Sequence, residues 1–142
     1  KIIIIMEFND VKKVVKKIVG EVVGIDEFND LDSLTDDLGY DSIDFIQLRS
    51  NLSNEFFIDI TPQTWFNFIN DIQLNSKYAY DSEVISEWIN KLAEYGINVT
   101  PELVETIQTL NEKNDRDSIS ARILSLINVN TISILLIKLQ KQ

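Results

Sequence analysis

The chain holds few residues able to do chemistry, and the best placed of them is a serine. Residues 36–44 read DDLGYDSID, setting Ser42 between Asp41 and Asp44, behind Gly39 and ahead of Ile43. A serine or aspartate in such a place commonly caps a helix, its side-chain oxygen accepting a bond from a first-turn amide. The same place suits a serine that carries a phosphate ester. The free amides and dipole of a helix N-terminus favour negative charge, and Gly39 permits tight backbone geometry or a close approach just before it. The local residues leave both readings open.

Composition narrows the alternatives. The chain has no cysteine and no histidine, which closes off disulfides, thiolate nucleophiles, Cys/His zinc sites and any imidazole base. A hydrolase would lack its usual base, and no Ser–Lys pair stands at a recognisable spacing. A calcium loop in DEFNDLDSLTDD also fails, because no register supplies both glycine at the sixth position and glutamate at the twelfth. No metal site is expected. The net charge of −10 repels phosphate backbones, so no nucleic-acid partner is expected either. From Glu21 to Asp44 the acids run without a single Lys or Arg. That stretch reads equally as a solvated loop or as a patch that meets basic partner surfaces.

The elements that must position Ser42 are helices. The first is expected to start near Asn9 or Asp10, with Val11, Val14, Val15, Ile18, Val19 and Val22 on one face and Lys12, Lys13, Lys16 and Lys17 on the other. Those lysines repel one another, so packing and nearby acids must support the helix. It ends near Gly24. Residues 24–40 then form a polar loop pinned by Ile25, Phe28, Leu31, Leu34 and Leu38. A second helix opens at Asp41 or Ser42, with a seam of Phe45, Leu48, Leu52 and Phe56. Pro62 disfavours helix at Thr61, and the aromatic stretch QTWFNFIND after it is poorly defined.

Further helices are expected at Asp81 or Ser82, stopped by Gly96; at TPEL, with Thr100 as cap and Pro101 in the first turn; and at Asp117. A last one, NVNTISILLIKLQKQ, is expected to be capped by Thr131. Trp65, Phe66, Phe68, Trp88 and Tyr95 stand at helical spacing and read as packing residues. No strand-like alternation is persuasive, so the class is all-α. The opening KIIIIMEF is too short to span a bilayer or to form a signal core. Met6 reads as a native start and residues 1–5 as an upstream remnant, with the segment 1–6 set apart from the helical core. No membrane span is expected, and the default location is cytoplasmic.

Taken together, VKKVVKKIVGEVVGID, the pinned loop, DDLGYDSIDFIQL and NEFFIDI closely resemble the acyl carrier protein family. Asp37, Leu38, Gly39, Asp41, Ser42 and Ile43 follow that family's motif in order and spacing. Glu55, Phe56, Ile58 and Ile60 follow the end of its second helix. The resemblance implies a four-helix bundle whose serine, Ser42, receives 4′-phosphopantetheine from coenzyme A through a separate phosphopantetheinyl transferase. The arm's thiol then carries acyl groups as thioesters, so the missing cysteine ceases to matter and the protein has no active site of its own. Gly39, Asp41 and Ile43 accompany Ser42 at the attachment site, and Asp41, Asp44, Ile43 and Ile46 would meet partner enzymes that transfer, condense or ligate acyl groups. A freestanding carrier serving fatty-acid, polyketide or nonribosomal-peptide-type chemistry is the leading expectation. A carrier-like interaction or regulatory module that is never phosphopantetheinylated is the alternative.

Departures from the family pattern fix the expected organisation. Residues 7–62 would be core helices I and II with their loop, 63–126 a helical insertion, and 127–142 the last carrier helix. In the runner-up arrangement the carrier is completed by residues 63–80 and followed by a helical appendage. Gln47, Arg49, Ser53 and Asn54 stand on the second helix where the family often shows acids. A second YDS at 80–82 echoes the first. Ser82 lacks the preceding glycine and is followed by Glu83 rather than an apolar residue, so it reads as a cap, in a degenerate or coincidental copy.

Overall fold

The computed structural model describes residues 6–73 and 81–142. Among these there are seven helices and no strand: α1 (Phe8–Val23), α2 (Ser42–Phe56), α3 (Pro62–Gln73), α4 (Ser82–Glu94), α5 (Pro101–Glu112), α6 (Arg116–Leu124) and α7 (Val129–Gln140). The all-α class is as expected. Residues 1–5 and Tyr80 of the second YDS lie outside the described residues.

Helix α1 starts two to three residues earlier than expected. Glu7 is its N-cap, without a side-chain capping bond, and neither Asn9 nor Asp10 serves as the cap. The helix is secured by packing instead, with Val11, Val15 and Val19 fully buried. Its lysines find the expected acids: Lys12 and Lys16 both reach Asp30, at 3.2 and 2.9 Å. Gly24 closes it in the left-handed conformation at φ +71°. The following loop spends several of its acids internally. Asp32 accepts from the Asn29 amide at 2.9 Å and Asp37 from the Ser33 amide at 2.7 Å. Leu34 and Leu38 are buried pins, but Leu31 is 71% exposed and pins nothing.

Two sets of helices result. α1 packs against α2 and α7, while α3 packs against α4 and α6, and α5 against α6. Their buried side chains nonetheless form one continuous apolar core. α7 is buried on most sides, with Val129, Ile132, Leu135 and Leu136 inside. That explains its nearly uninterrupted apolar sequence. Its buried Ser133 hydroxyl donates to the Val129 carbonyl at 2.7 Å, whereas the Asn130 Oδ1 is buried without a hydrogen-bond partner. Asn128, rather than Thr131, caps α7. The two form a reciprocal capping box in which Thr131 is the third helical residue. Met6, at the edge of the N-terminal segment, exchanges backbone bonds with the Gln140 side chain.

The aromatic stretch after Pro62 is a regular helix. Pro62 opens α3, the Thr61 hydroxyl accepts from the Thr64 amide at 3.1 Å, and Trp65, Phe68 and Ile72 fall on the buried face. Trp88 of α4 is buried and donates its indole N–H to the Ile72 carbonyl at 2.9 Å, which locks α4 to α3. α4 is capped by Asp81 and not by Ser82, and α6 by Asp115 and not by Asp117. Thr100 and Pro101 open α5 as expected. The turn after α4 approaches α7 closely. Gly96 sits at φ +72°, where a β-carbon would also lie 2.8 Å from Ile134 Cδ1. No single helix among the described residues is long and apolar enough to cross a membrane.

Candidate functional site

Asp41 and Asp44 build the start of α2. Asp44 N–H donates to Asp41 Oδ1 at 2.9 Å, and Asp41 N–H donates to Asp44 Oδ2 at 3.0 Å. This reciprocal box settles the capping half of the serine's double reading. Asp41 is the cap, while Ser42 is the first helical residue and is exposed. Its hydroxyl is not consumed in holding the helix. The amides of Ser42 and Ile43 have no carbonyl four residues back within the helix, so the positive end of α2 lies beside the hydroxyl. That local field offsets part of the repulsion that the Asp41 and Asp44 carboxylates would exert on an attached phosphate.

The residues before the serine are held rigidly. Gly39 adopts φ +74°, and open space surrounds the position of a β-carbon. Glycine is needed there for its backbone angle rather than for a close approach. Tyr40 is buried. Its hydroxyl donates to the Val19 carbonyl of α1 at 2.8 Å, and its ring meets Phe45 edge-on at 5.2 Å. Burial, with Asp44 adding repulsion, pushes its phenol far above the ordinary value, so it stays a neutral donor. The Tyr40 amide also donates to the Leu34 carbonyl at 2.8 Å, and the Leu34 amide to the Ile127 carbonyl at 3.0 Å. The motif is thereby tied to α1 and to the α6–α7 junction. The motif alone signals no such role for Tyr40, since its partner lies 21 residues away.

Ser42 stands at the end of an apolar groove of about 570 Å³ between α2 and α3. Each helix presents a stripe of the same spacing to it: Ser42, Phe45, Ile46 and Arg49 from α2, and Pro62, Trp65, Phe66 and Ile69 from α3. Leu124 of α6 completes the lining. Ile46 is 60% exposed and Phe66 58% exposed, so two large apolar side chains of this groove face solvent. Phe66 corrects the expectation that every aromatic here is packing, although Trp65 and Phe68 are buried. Ile43, 72% exposed, stands directly beside the serine.

Two of the polar positions of α2 serve its connection to α3. Arg49 donates to the Ile60 carbonyl at 2.8 Å. The Ser53 hydroxyl donates to the Ile58 carbonyl at 2.5 Å and accepts from the Ile60 amide at 3.1 Å. Among the described residues no group of acids, His or Cys is arranged to hold a metal ion.

The geometry thus offers an exposed, uncommitted hydroxyl on a preformed helix end, with an apolar channel leading away from it. Residues 13–78 match the family model described as the phosphopantetheine attachment site. No solved structure matches the chain. The match contains the whole of DDLGYDSID and runs on through α3, which the expected partition had assigned to the insertion. This segment is a phosphopantetheine attachment domain, the kind on which 4′-phosphopantetheine is held covalently, and it is consistent with the acyl carrier protein family.

Proposed function

We propose that this protein is an acyl carrier in which Ser42 is the attachment residue. It would serve fatty-acid, polyketide or nonribosomal-peptide-type biosynthesis. The observation that carries this reading is the division of labour at the start of α2: Asp41 and Asp44 take over the capping, which leaves the Ser42 hydroxyl exposed at the helix end. A phosphate on that oxygen would lie against the first-turn amides of α2. When bound, the prosthetic group supplies a thiol that carries acyl groups, on an arm that raises their local concentration at a partner's active site. The chain's own residues present the hydroxyl, fix the helix and shape the groove.

In this reading α1, α2 and α3 are carrier helices and α7, which packs on α1, is the last of them. α4 to α6 are an added layer. Ile43 and Ile46, exposed next to the serine and one turn after it, together with Asp41 and Asp44, form the face that meets the transferase and the acyl-handling enzymes.

Intact-mass measurement after incubation with coenzyme A and a broad-specificity phosphopantetheinyl transferase tests the proposal. Wild type gains one arm, Ser42→Ala gains none and Ser82→Ala gains one. An unmodified wild type would leave the chain as an interaction module with a carrier fold. An adduct lost in Ser82→Ala but kept in Ser42→Ala would move the site.

A further inference from the structure

Phe57 is the most exposed large apolar side chain among the described residues, at 95%. It closes α2 in the left-handed conformation, with φ +54° and ψ +36°. That conformation suits glycine, and a bulky side chain adopts it at a cost. Asn114, the other non-glycine residue found there, is of a type that tolerates it. The Phe57 ring recovers nothing for the strain, because it leaves almost all of its surface in water.

The turn beneath the ring is fixed. The Phe57 and Ile58 amides both donate to the Ser53 carbonyl, and the Ser53 hydroxyl bridges the Ile58 carbonyl and the Ile60 amide. Ile60 is fully buried and anchors the chain just beyond. The ring therefore projects from an ordered backbone, and little entropy is lost when a partner meets it. Glu55 and Asp59, both exposed, flank it in the chain. Neither acid is engaged in an ion pair among the described residues.

Strain retained beneath an exposed aromatic side chain points to recognition rather than packing. We infer that Phe57 is a docking knob for a partner protein that offers an apolar pocket rimmed by Lys or Arg. Charge selects this occupant over the others. A second copy of the chain brings the same net charge of −10, and its apolar groove opens beside Asp41 and Asp44, which repel Glu55 and Asp59. An anionic lipid surface repels them likewise. Phe57 stands at the opposite end of α2 from Ser42, about 22 Å away at 1.5 Å per residue. A partner gripping it holds the protein while leaving the Ser42 end open to other visitors. Nothing in this inference depends on modification of Ser42.

The test irradiates the full chain carrying Phe57→p-benzoylphenylalanine in a lysate of the cells it comes from, and sequences the cross-linked peptides. The expected product joins residue 57 to one protein, at an apolar segment bordered by Lys or Arg, and disappears when Glu55→Lys and Asp59→Lys are added. That protein is then purified and titrated by calorimetry with the unlabelled chain. Phe57→Ala weakens binding roughly thirtyfold, Glu55→Gln with Asp59→Asn removes most of its salt dependence, and Ser42→Ala binds like wild type. Phe57→Gly raises the urea midpoint, since glycine relieves the turn and the fold does not need the ring.

The absence of one dominant product, a product that survives the double charge reversal, or a cross-link to a second copy of the chain would each overturn the proposed occupant. So would wild-type binding to phosphatidylglycerol vesicles that Phe57→Ala abolishes. A lower urea midpoint for Phe57→Gly would overturn the knob itself, by making the ring part of the fold.

Discussion

Two helices of this protein begin with the same dipeptide, Asp-Ser, and the two starts differ in what surrounds them. At α2 the Asp41 carboxylate accepts from the Asp44 amide at 2.9 Å, and at α4 the Asp81 carboxylate accepts from the Val84 amide at the same distance. Ser42 and Ser82 are both first helical residues and both exposed. Up to this point the geometry is shared. At α2, however, the third helical residue is Asp44, which returns a bond to the cap, whereas Val84 cannot. At α2 the serine is followed by exposed Ile43, preceded by Gly39 in its left-handed turn, and open to the α2–α3 groove. At α4 it is followed by Glu83, whose charge would oppose a phosphate. An exposed serine on a helix end is thus common property, and the neighbourhood gives it a use.

The largest expected effect separates the two serines outright. In a Ser42→Ala background, Glu83→Ile at the second start still yields no adduct in the transferase and mass experiment. Modification of that double variant would show that the apolar neighbour alone makes a site, and that the groove and glycine turn are dispensable.

A second contrast concerns what secures each helix. α4 depends on Trp88, buried and bonded to Ile72, so Trp88→Ala costs about 3–5 kcal/mol in urea unfolding. If α1, α2 and α7 fold apart from α3–α6, that loss appears as a separate early transition. The continuous core predicts a single one.

The caps differ more modestly. Asp41→Ala removes one partner of a two-way box and costs about 1–2 kcal/mol, while Asp81→Ala removes a single bond and costs about 0.5–1 kcal/mol. Urea midpoints at fixed pH measure the difference, and equal values would erase the distinction between the two starts.

The smallest effect is a pH dependence. The Lys16 ammonium holds the Asp30 carboxyl below its ordinary value; burial works the other way, and Lys12 adds to the lowering. A carboxyl lowered on folding contributes stability that is present above its unfolded value of 3.8 and fades as pH falls through the lower folded value. Asp30→Asn therefore loses stability at neutral pH and shows a shallower decline on acidification. Thermal melts between pH 7 and pH 3 for the two proteins test this.

Much of the site was legible in advance because its determinants are local. Asp41, Ser42, Asp44 and Gly39 act through bonds and angles within a few residues of one another, and the sequence motif carries that spacing. The buried seam Phe45, Leu48 and Leu52 followed from periodicity for the same reason. The misjudged caps, Thr131 for Asn128 and Asp117 for Asp115, were errors of two to three residues among equally suitable oxygens. Leu31 failed as a pin because spacing alone cannot show which loop side chain finds the core. Tyr40, Phe66 and Leu124 were missed for a stronger reason. Tyr40 acts on Val19, and Phe66 and Leu124 matter only once α3 and α6 stand beside α2.

The amino-acid sequence by itself determined the helical class, the exclusion of cysteine and histidine chemistry, and the serine motif at the head of α2. Each of these depends on composition, periodicity or neighbours in the chain. Only the tertiary structure decided that α7 returns to α1 across a hundred residues, and that α2 and α3 leave an apolar channel beginning at Ser42. Only it brought a third helix to that channel's wall. These outcomes depend on which apolar faces cover one another, and side chains far apart in sequence meet only when the whole core closes.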